Sequence, residues 1–448
     1  MAEDGQTGAV RLASFTVSKL FGEFNHHIPL SATSHVTALI APNGIGKTAC
    51  LKLINALFRR RWSTFTTTDF QQICYVFSDN TKVIVHHSAA EDQGPDADLG
   101  LTIETIAEDG DEVWRPKFPD QSSPRVPRID HFLPFLTRVG PSRWVHDYSG
   151  QNFSFQEVIE NYSDQLPDSV INTINERPPP RLMRVIELID CHLIETQRLL
   201  ILGDDDAPHF RRAPSTLTIS KKARTLREVI ATELTAYAAL SQSLDRSFPR
   251  RVIQETPVQP TDNLAAGLAE LDRNRRKLMD AGILDTEEDE PLLPPGGVDQ
   301  AVAAVLSVYV DDTKRKLDSL ATILARITLF KELIDDRFKS KTIEVDKSAG
   351  FLVKRGADVA VPLEKLSSGE QHQLVLFFEL LFELRGNALI LIDEPELSLH
   401  VAWQKKFIPD LLRIIELNKF DVLLATHSPQ LIGGWLDLVV ELGDVEAA

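Results

Sequence analysis

Cysteine is scarce in this chain, with three in 448 residues. Cys50, Cys74 and Cys191 form neither a CxxC pair nor an even set, which excludes a disulfide framework and a cysteine zinc site and leaves reduced, structural thiols. No run of about 18 uncharged apolar residues occurs, so no helix that spans a bilayer is expected. The opening residues MAEDGQTGAVRLASF are acidic and lack the basic-then-apolar order of a signal peptide, so a cytoplasmic location and no membrane partner are expected. Basic charge is in deficit too, with a formal net charge of −17. Such a surface does not attract nucleic acid as a whole, and any contact with DNA or RNA has to come from a local patch. No internal repeat runs through the sequence.

What is present is an ordinary globular balance, 43% apolar and 25% charged, in a chain long enough for one large domain with an insertion or for two domains. Val10–Val17 alternates and Val36–Ile40 is a short apolar run, so both read as strands. Ala49–Arg61 has helical spacing, with Leu51, Ile54, Leu57 and Phe58 on one face. From Phe70 to Val113 the chain reads as antiparallel hairpins, and Arg115–Pro141 as irregular. Lys221–Leu244, Asn263–Met279 and Val302–Phe338 are long amphipathic helices, broken by proline-bearing loops at Pro249–Pro260 and Pro291–Pro295. Strand character returns at Thr342–Val345, Phe351–Lys354 and Val359–Val361. A helix over Gln371–Leu384, a buried strand at Ala388–Ile392, a helix over Val401–Glu416 and a buried strand at Val422–Ala425 follow.

Three segments carry chemistry. Ala41-Pro42-Asn43-Gly44-Ile45-Gly46-Lys47-Thr48 has phosphate-loop spacing between a strand and a helix, with alanine at the usual first glycine. Asn43, Gly44 and Gly46 would let backbone N–H groups wrap a triphosphate, Lys47 would reach its outer phosphates and Thr48 would ligate Mg²⁺. The apolar strand ending in Asp393-Glu394 would place Asp393 in the Mg²⁺ shell and Glu394 at the attacking water. Leu366-Ser367-Ser368-Gly369-Glu370-Gln371 opens a helix and offers a second anion-binding end, which makes sense if it completes a partner's site; a plain serine cap is the other reading.

These segments, with Ala425-Thr426-His427-Ser428-Pro429 and a helical excursion between Ala41–Thr48 and Leu366–Gln371, resemble the ABC-type ATPase family that includes SMC, RecF-like and OLD-type proteins. The resemblance implies an α/β ATPase head, a mixed sheet with helices plus an antiparallel β subdomain, interrupted by a short coiled-coil-like helical insertion. Its parts would be residues 1–200 and 341–448 for the head and 201–340 for the insertion. It implies ATP and Mg²⁺ as cofactors and a dimer or higher oligomer that sandwiches ATP between subunits. Ser367 and Gly369 would act on the neighbour's γ-phosphate, His427 would be the switch histidine, and Gln197 would sense Mg²⁺ and the attacking water. Ser398 and His400 fall where this family has its dimer-crossing loop.

The insertion is too short for an SMC arm at about 1.5 Å per residue and lacks sustained heptads. The chain also ends soon after His427, where OLD-type nucleases continue into a TOPRIM domain. What remains resembles the stand-alone ATPase subunits of bacterial anti-phage defence, which work with a separate TOPRIM or HNH nuclease effector and answer a phage-encoded trigger. A RecF-like DNA-repair role, using basic clusters at Arg59–Arg61, Arg211-Arg212, Lys221–Arg224 and Arg273–Lys277, is the alternative. A scaffold that binds ATP without hydrolysing it is a third.

Overall fold

The computed structural model describes residues 10–87, 100–117, 129, 132, 133, 135–140, 143–147, 150–162, 166–194, 218–254, 261–285, 300–356, 359–384, 386–398 and 401–443. In chain order the first elements are β1 (Leu12–Leu20), β2 (Phe24–Pro29), β3 (Val36–Ile40), α1 (Lys47–Phe58), α2 (Trp62–Thr67), β4 (Gln72–Phe77), β5 (Lys82–His87), β6 (Leu101–Ala107) and β7 (Gly110–Trp114). Then come β8 (Leu136–Gly140), β9 (Arg143–His146), β10 (Asn152–Ser154), α3 (Phe155–Tyr162), α4 (Asp168–Ile174), α5 (Pro180–Leu188) and β11 (Asp190–Ile194). The middle supplies α6 (Thr218–Gln254), α7 (Thr261–Asp280), α8 (Gln300–Asp318), α9 (Ala321–Asp335), β12 (Lys341–Asp346), β13 (Gly350–Arg355), β14 (Val359–Val361) and α10 (Ser368–Phe378). The last stretch gives β15 (Ala388–Asp393), α11 (Val401–Asn418), β16 (Asp421–Thr426), α12 (Pro429–Ile432) and β17 (Val439–Glu441). Two compact units emerge: the described residues up to 194 join those from 384 onward, and 218–383 form the other.

In the first unit, parallel and antiparallel strands sort into separate sheets. The antiparallel one runs β2-β1-β4-β5-β6-β7, with the hairpins where the alternating pattern puts them. Phe15 and Val17 of β1, Ile73, Tyr75 and Phe77 of β4, and Val83 and Val85 of β5 are buried in one core with Leu51, Leu53, Ile54 and Leu57 of α1. Each such side chain contributes about 1.5–3 kcal/mol on burial. The parallel sheet runs β11-β15-β16-β3-β17. Its strands β15 and β16 are buried almost without interruption, as parallel strands covered on both faces must be.

Register in the parallel sheet decides where the chemistry goes. Asp393 pairs with Ala425, Ala425 with Leu39, and Thr426 with Ile40, so β15, β16 and β3 end side by side at the carboxyl edge. Loops leaving that edge are where open α/β sheets bind ligands. The α/β class read from the sequence is the one observed. Cys50 and Cys191 are buried in this core, and burial pushes the Cys50 thiol up to about 12 and Cys191 upward as well, as inert structural thiols require.

Several sequence expectations need correction. Arg115–Pro141 ends in β8, which pairs with β9 and helps enclose a small separate core of Trp144, Phe155, Val158 and Ile171. Its strands are too short to show a period. The expected loop at Pro249–Pro260 begins later, because α6 continues through Pro249 to Gln254. Proline removes the helical hydrogen bond to the Asp245 carbonyl there, and Arg251 ties the same turn down by other contacts: it is ion-paired with the buried Asp312 of α8, and its Nη2 donates to the Leu244 carbonyl at 2.8 Å. Val302–Phe338 is two helices, since the Ser319 hydroxyl turns back onto the Lys316 carbonyl at 2.7 Å and Leu320 bonds Leu317 in a tight turn. The helix expected over Gln371–Leu384 starts at Ser368 and widens into a π-helical turn over Glu379–Glu383.

The second unit holds these helices and a β12-β13-β14 antiparallel meander. Among the described residues no helix is long and apolar enough to cross a membrane.

Candidate active site

The loop after β3 curls into an open cradle because two glycines take conformations closed to other residues. Gly44 has φ 87° and Gly46 φ 102°; a Cβ on Gly46 would stand 2.5 Å from Leu20 Cδ2, while one on Gly44 would meet nothing. Gly44 therefore faces open space, with the exposed Asn43 beside it. Gly46 caps α1 without any side-chain partner, leaving the helix's first N–H groups to an anion. The loop is braced from below: His26, 2% exposed, meets the Ile45 carbonyl through Nε2 at 2.7 Å and stacks on Phe24.

Lys47 points back into its own loop. Its ammonium donates to the carbonyls of Ala41 at 2.7 Å and Pro42 at 3.1 Å, and lies 3.3 Å from His427 Nδ1. Three acceptors thus take up its three protons. Burial lowers its pKa, against the opposing influence of Glu394, Asp393 and Glu396. Because Nδ1 of His427 accepts, the imidazole proton sits on Nε2, which faces Glu394 Oε1 at 3.3 Å.

The Thr48 hydroxyl lies 3.1 and 3.0 Å from the two Asp393 carboxylate oxygens. A hydroxyl and a carboxylate so close, both within reach of solvent, are the hard oxygen donors that suit Mg²⁺. Glu394 follows with φ 45°, a left-handed conformation rare for a long side chain, held by its N–H bond to the Ala425 carbonyl at 2.9 Å. The structure thus brings together Lys47, Thr48, Asp393, Glu394 and His427, from segments up to 380 residues apart.

Ser367 and Gly369 lie in the second unit, at the start of α10. There Ser367 caps the helix: its hydroxyl accepts from the Glu370 N–H at 3.4 Å and donates to the Glu370 carboxylate at 2.9 Å. Glu370 is held in turn by Lys341 at 2.6 and 2.8 Å. Gln197 and His400 lie outside the described residues. Of the basic clusters, Arg59 and Arg61 are ion-paired with Asp168, and Lys222 with Glu379 and Glu383.

Some neighbours of the site carry no sequence signature. Glu396 accepts from the His427 N–H at 2.6 Å, Gln404 accepts from the Ser428 hydroxyl at 2.7 Å, and Phe21, 47% exposed with φ 56°, presents its ring beside Gly46. Only the pairing of β15 with β16 and of β1 with β2 brings them there.

Residues 214–433 match a family described as AAA domain, putative AbiEii toxin, Type IV TA system. That span takes in Ser367, Asp393, Glu394 and His427 and leaves out the phosphate loop. No curated protein sequence matches the chain. Among solved structures, the SMC head domain with an extended coiled coil from Pyrococcus furiosus, bound to the C-terminal domain of ScpA, is 12% identical. The match covers 97% of this chain and 94% of that one at a TM-score of 0.32. The SMC head domain from Thermotoga maritima is 9% identical over 94% of this chain and 91% of that one, at 0.31. Likeness this distant transfers neither activity nor partners. The fold itself is α/β: a parallel sheet with a glycine loop at its carboxyl edge, a separate antiparallel sheet and a largely helical second unit, and the domain match covers only its C-terminal half.

Proposed function

We propose that the chain binds Mg²⁺ and ATP at the carboxyl edge of its parallel sheet and hydrolyses ATP slowly, as the regulatory subunit of an anti-phage, abortive-infection type complex that controls a separate effector nuclease. The observation that carries the ATPase reading is the convergence of Lys47, Thr48, Asp393, Glu394 and His427 on one loop with a free helix start. The description of the matching domain family, with its AbiEii toxin, supports the defence role. Ion pairing of Arg59, Arg61 and Lys222 draws basic charge away from a DNA surface, which disfavours the repair reading.

In this reading Asn43, Gly44 and Gly46 shape the cradle, and Lys47 exchanges its two loop carbonyls and His427 for the outer phosphates. Thr48 and Asp393 hold Mg²⁺, which neutralises phosphate charge when bound. Glu394 orients and deprotonates water and His427 donates from Nε2; the role of sensing Mg²⁺ and water would fall to Gln197 on the resemblance alone. Ser367 and Gly369 serve the site of a second copy, which requires the Ser367 hydroxyl to leave Glu370. ATP occupancy is then linked to assembly, since a ligand shared by two subunits stabilises their association.

Phosphate release, nucleotide affinity and light scattering on the wild type, Lys47→Ala and Glu394→Gln test this. Lys47→Ala is expected to lose ATP binding. Glu394→Gln is expected to bind ATP, lose turnover and accumulate as the ATP-bound oligomer. A wild type that binds ATP without releasing phosphate makes the chain a scaffold, and one that binds none refutes the site. Phage plating on cells carrying the locus with Lys47→Ala separates the roles: undiminished protection refutes the defence part alone.

A further inference from the structure

Glu396 has no part in the reaction as described, yet its side chain is placed at the centre of the site. One carboxylate oxygen accepts from the His427 backbone N–H at 2.6 Å. The other is buried and, among the described residues, has no hydrogen-bond partner. Its charge acts on Lys47. The Glu396 carbonyl accepts from Gln404 Nε2 at 3.4 Å, and the same amide group's oxygen accepts from the Ser428 hydroxyl at 2.7 Å. The 3-10 turn Pro395–Ser398 and the His427-Ser428 segment are therefore fastened at two points.

Two physical facts give the first point its importance. β16 ends at Thr426, so the His427 N–H has no strand to bond, and Glu396 supplies its acceptor. The imidazole it anchors sits 3.3 Å from both Lys47 Nζ and Glu394 Oε1, the long end of hydrogen-bond distance, where a shift of a few tenths of an ångström forfeits both contacts. A buried carboxylate oxygen without a partner among the described residues calls for a reason beyond fold stability.

We propose that Glu396 is a positioning residue: it fixes the peptide of His427 and so holds the imidazole between Lys47 and Glu394. Its effect on turnover rests on the ATPase reading; its effect on the place of His427 does not. The prediction is specific to geometry, because glutamine at this position keeps an acceptor oxygen and loses the charge.

The test compares the full chain with Glu396→Ala and Glu396→Gln. It uses ¹⁵N and ¹³C histidine ring resonances, with the His427 signals identified among the twelve histidines by their loss in His427→Gln. ATP affinity, KM and kcat are measured alongside. Glu396→Ala is expected to move the His427 resonances and lower kcat by roughly 10- to 100-fold, the usual effect of misplacing a catalytic group, with ATP affinity changed less than about threefold. Glu396→Gln is expected to restore the resonances and bring kcat within about fivefold of wild type.

An unmoved His427 in Glu396→Ala overturns the inference. So does a Glu396→Gln as damaging as Glu396→Ala, which makes charge the operative property, or a loss of ATP binding like that of Lys47→Ala. If the alanine variant does not fold, Glu396→Asp, which withdraws the oxygen by about 1.5 Å and keeps the charge, is expected to show the alanine behaviour; wild-type behaviour in it overturns the inference. If the wild type shows no turnover, the ATPase reading fails, and the resonances alone decide this one.

Discussion

Replacing Glu370 by glutamine tests how the start of α10 is held. Glu370 and Lys341 are 13% and 11% exposed, with Nζ 2.6 and 2.8 Å from the two carboxylate oxygens. Removing one member of a buried pair costs about 3–5 kcal/mol, because the other charge stays desolvated. Glutamine keeps an acceptor for the Ser367 N–H, now 2.9 Å from the carboxylate, so the cap itself survives and the expected loss is about 3 kcal/mol, the low end. With a urea slope of about 3 kcal/mol/M this is a midpoint shift of about 1 M. The pH dependence has a definite sign. Burial alone would raise the Glu370 pKa, but Lys341 and the Ser367 N–H and hydroxyl outweigh it and lower it below 4.5. A lowered carboxyl pKa stabilises the fold above its unfolded value and stops doing so as pH falls through the folded value. The two proteins should therefore differ fully at pH 7, begin to approach one another only as pH falls below 4.5, and converge once it has fallen through the lower, folded value. Urea unfolding followed by circular dichroism at both pH values measures it. A glutamine variant as stable as wild type at pH 7, or a gap that persists unchanged in acid, refutes the reasoning.

Gly46→Ala should disable the loop, since its Cβ meets Leu20 Cδ2 at 2.5 Å in a backbone at φ 102°. A stability loss of about 1–3 kcal/mol with loss of ATP binding is expected by calorimetry; wild-type affinity would show that the loop takes another shape. Gln373 is 0% exposed on α10, and neither of its amide atoms is hydrogen-bonded among the described residues. Gln373→Leu should raise stability by about 1–3 kcal/mol in the same urea titration, because it removes two unpaired polar atoms at similar volume. A fall in stability would mean that the amide has a partner in solution.

How much could be read in advance varies from residue to residue. Lys47 and Thr48 follow from glycine spacing, and Asp393-Glu394 from an apolar strand that stops at two carboxylates, because each motif is local. The hairpins of β4 to β7 were legible for the same reason. Glu396, Gln404, His26 and Phe21 were not, since glutamate in a turn or histidine in a strand has no pattern until another strand lies beside it. Nor could the proline at 249 be read as helical, because what carries α6 past it is an arginine paired with Asp312 on a different helix.

The sequence alone determined the class of fold and marked the glycine-loop and carboxylate residues that the structure brings together, through periodicity and short-range spacing. Only the tertiary structure decided that Lys47 rests on its own loop and on His427, that Glu396 holds the His427 peptide, and that Ser367 is occupied as a helix cap. The contacts of Lys47 and Glu396 with His427 depend on the register of three parallel strands. Which residues come opposite one another there is settled by packing between segments hundreds of residues apart, which no local pattern records.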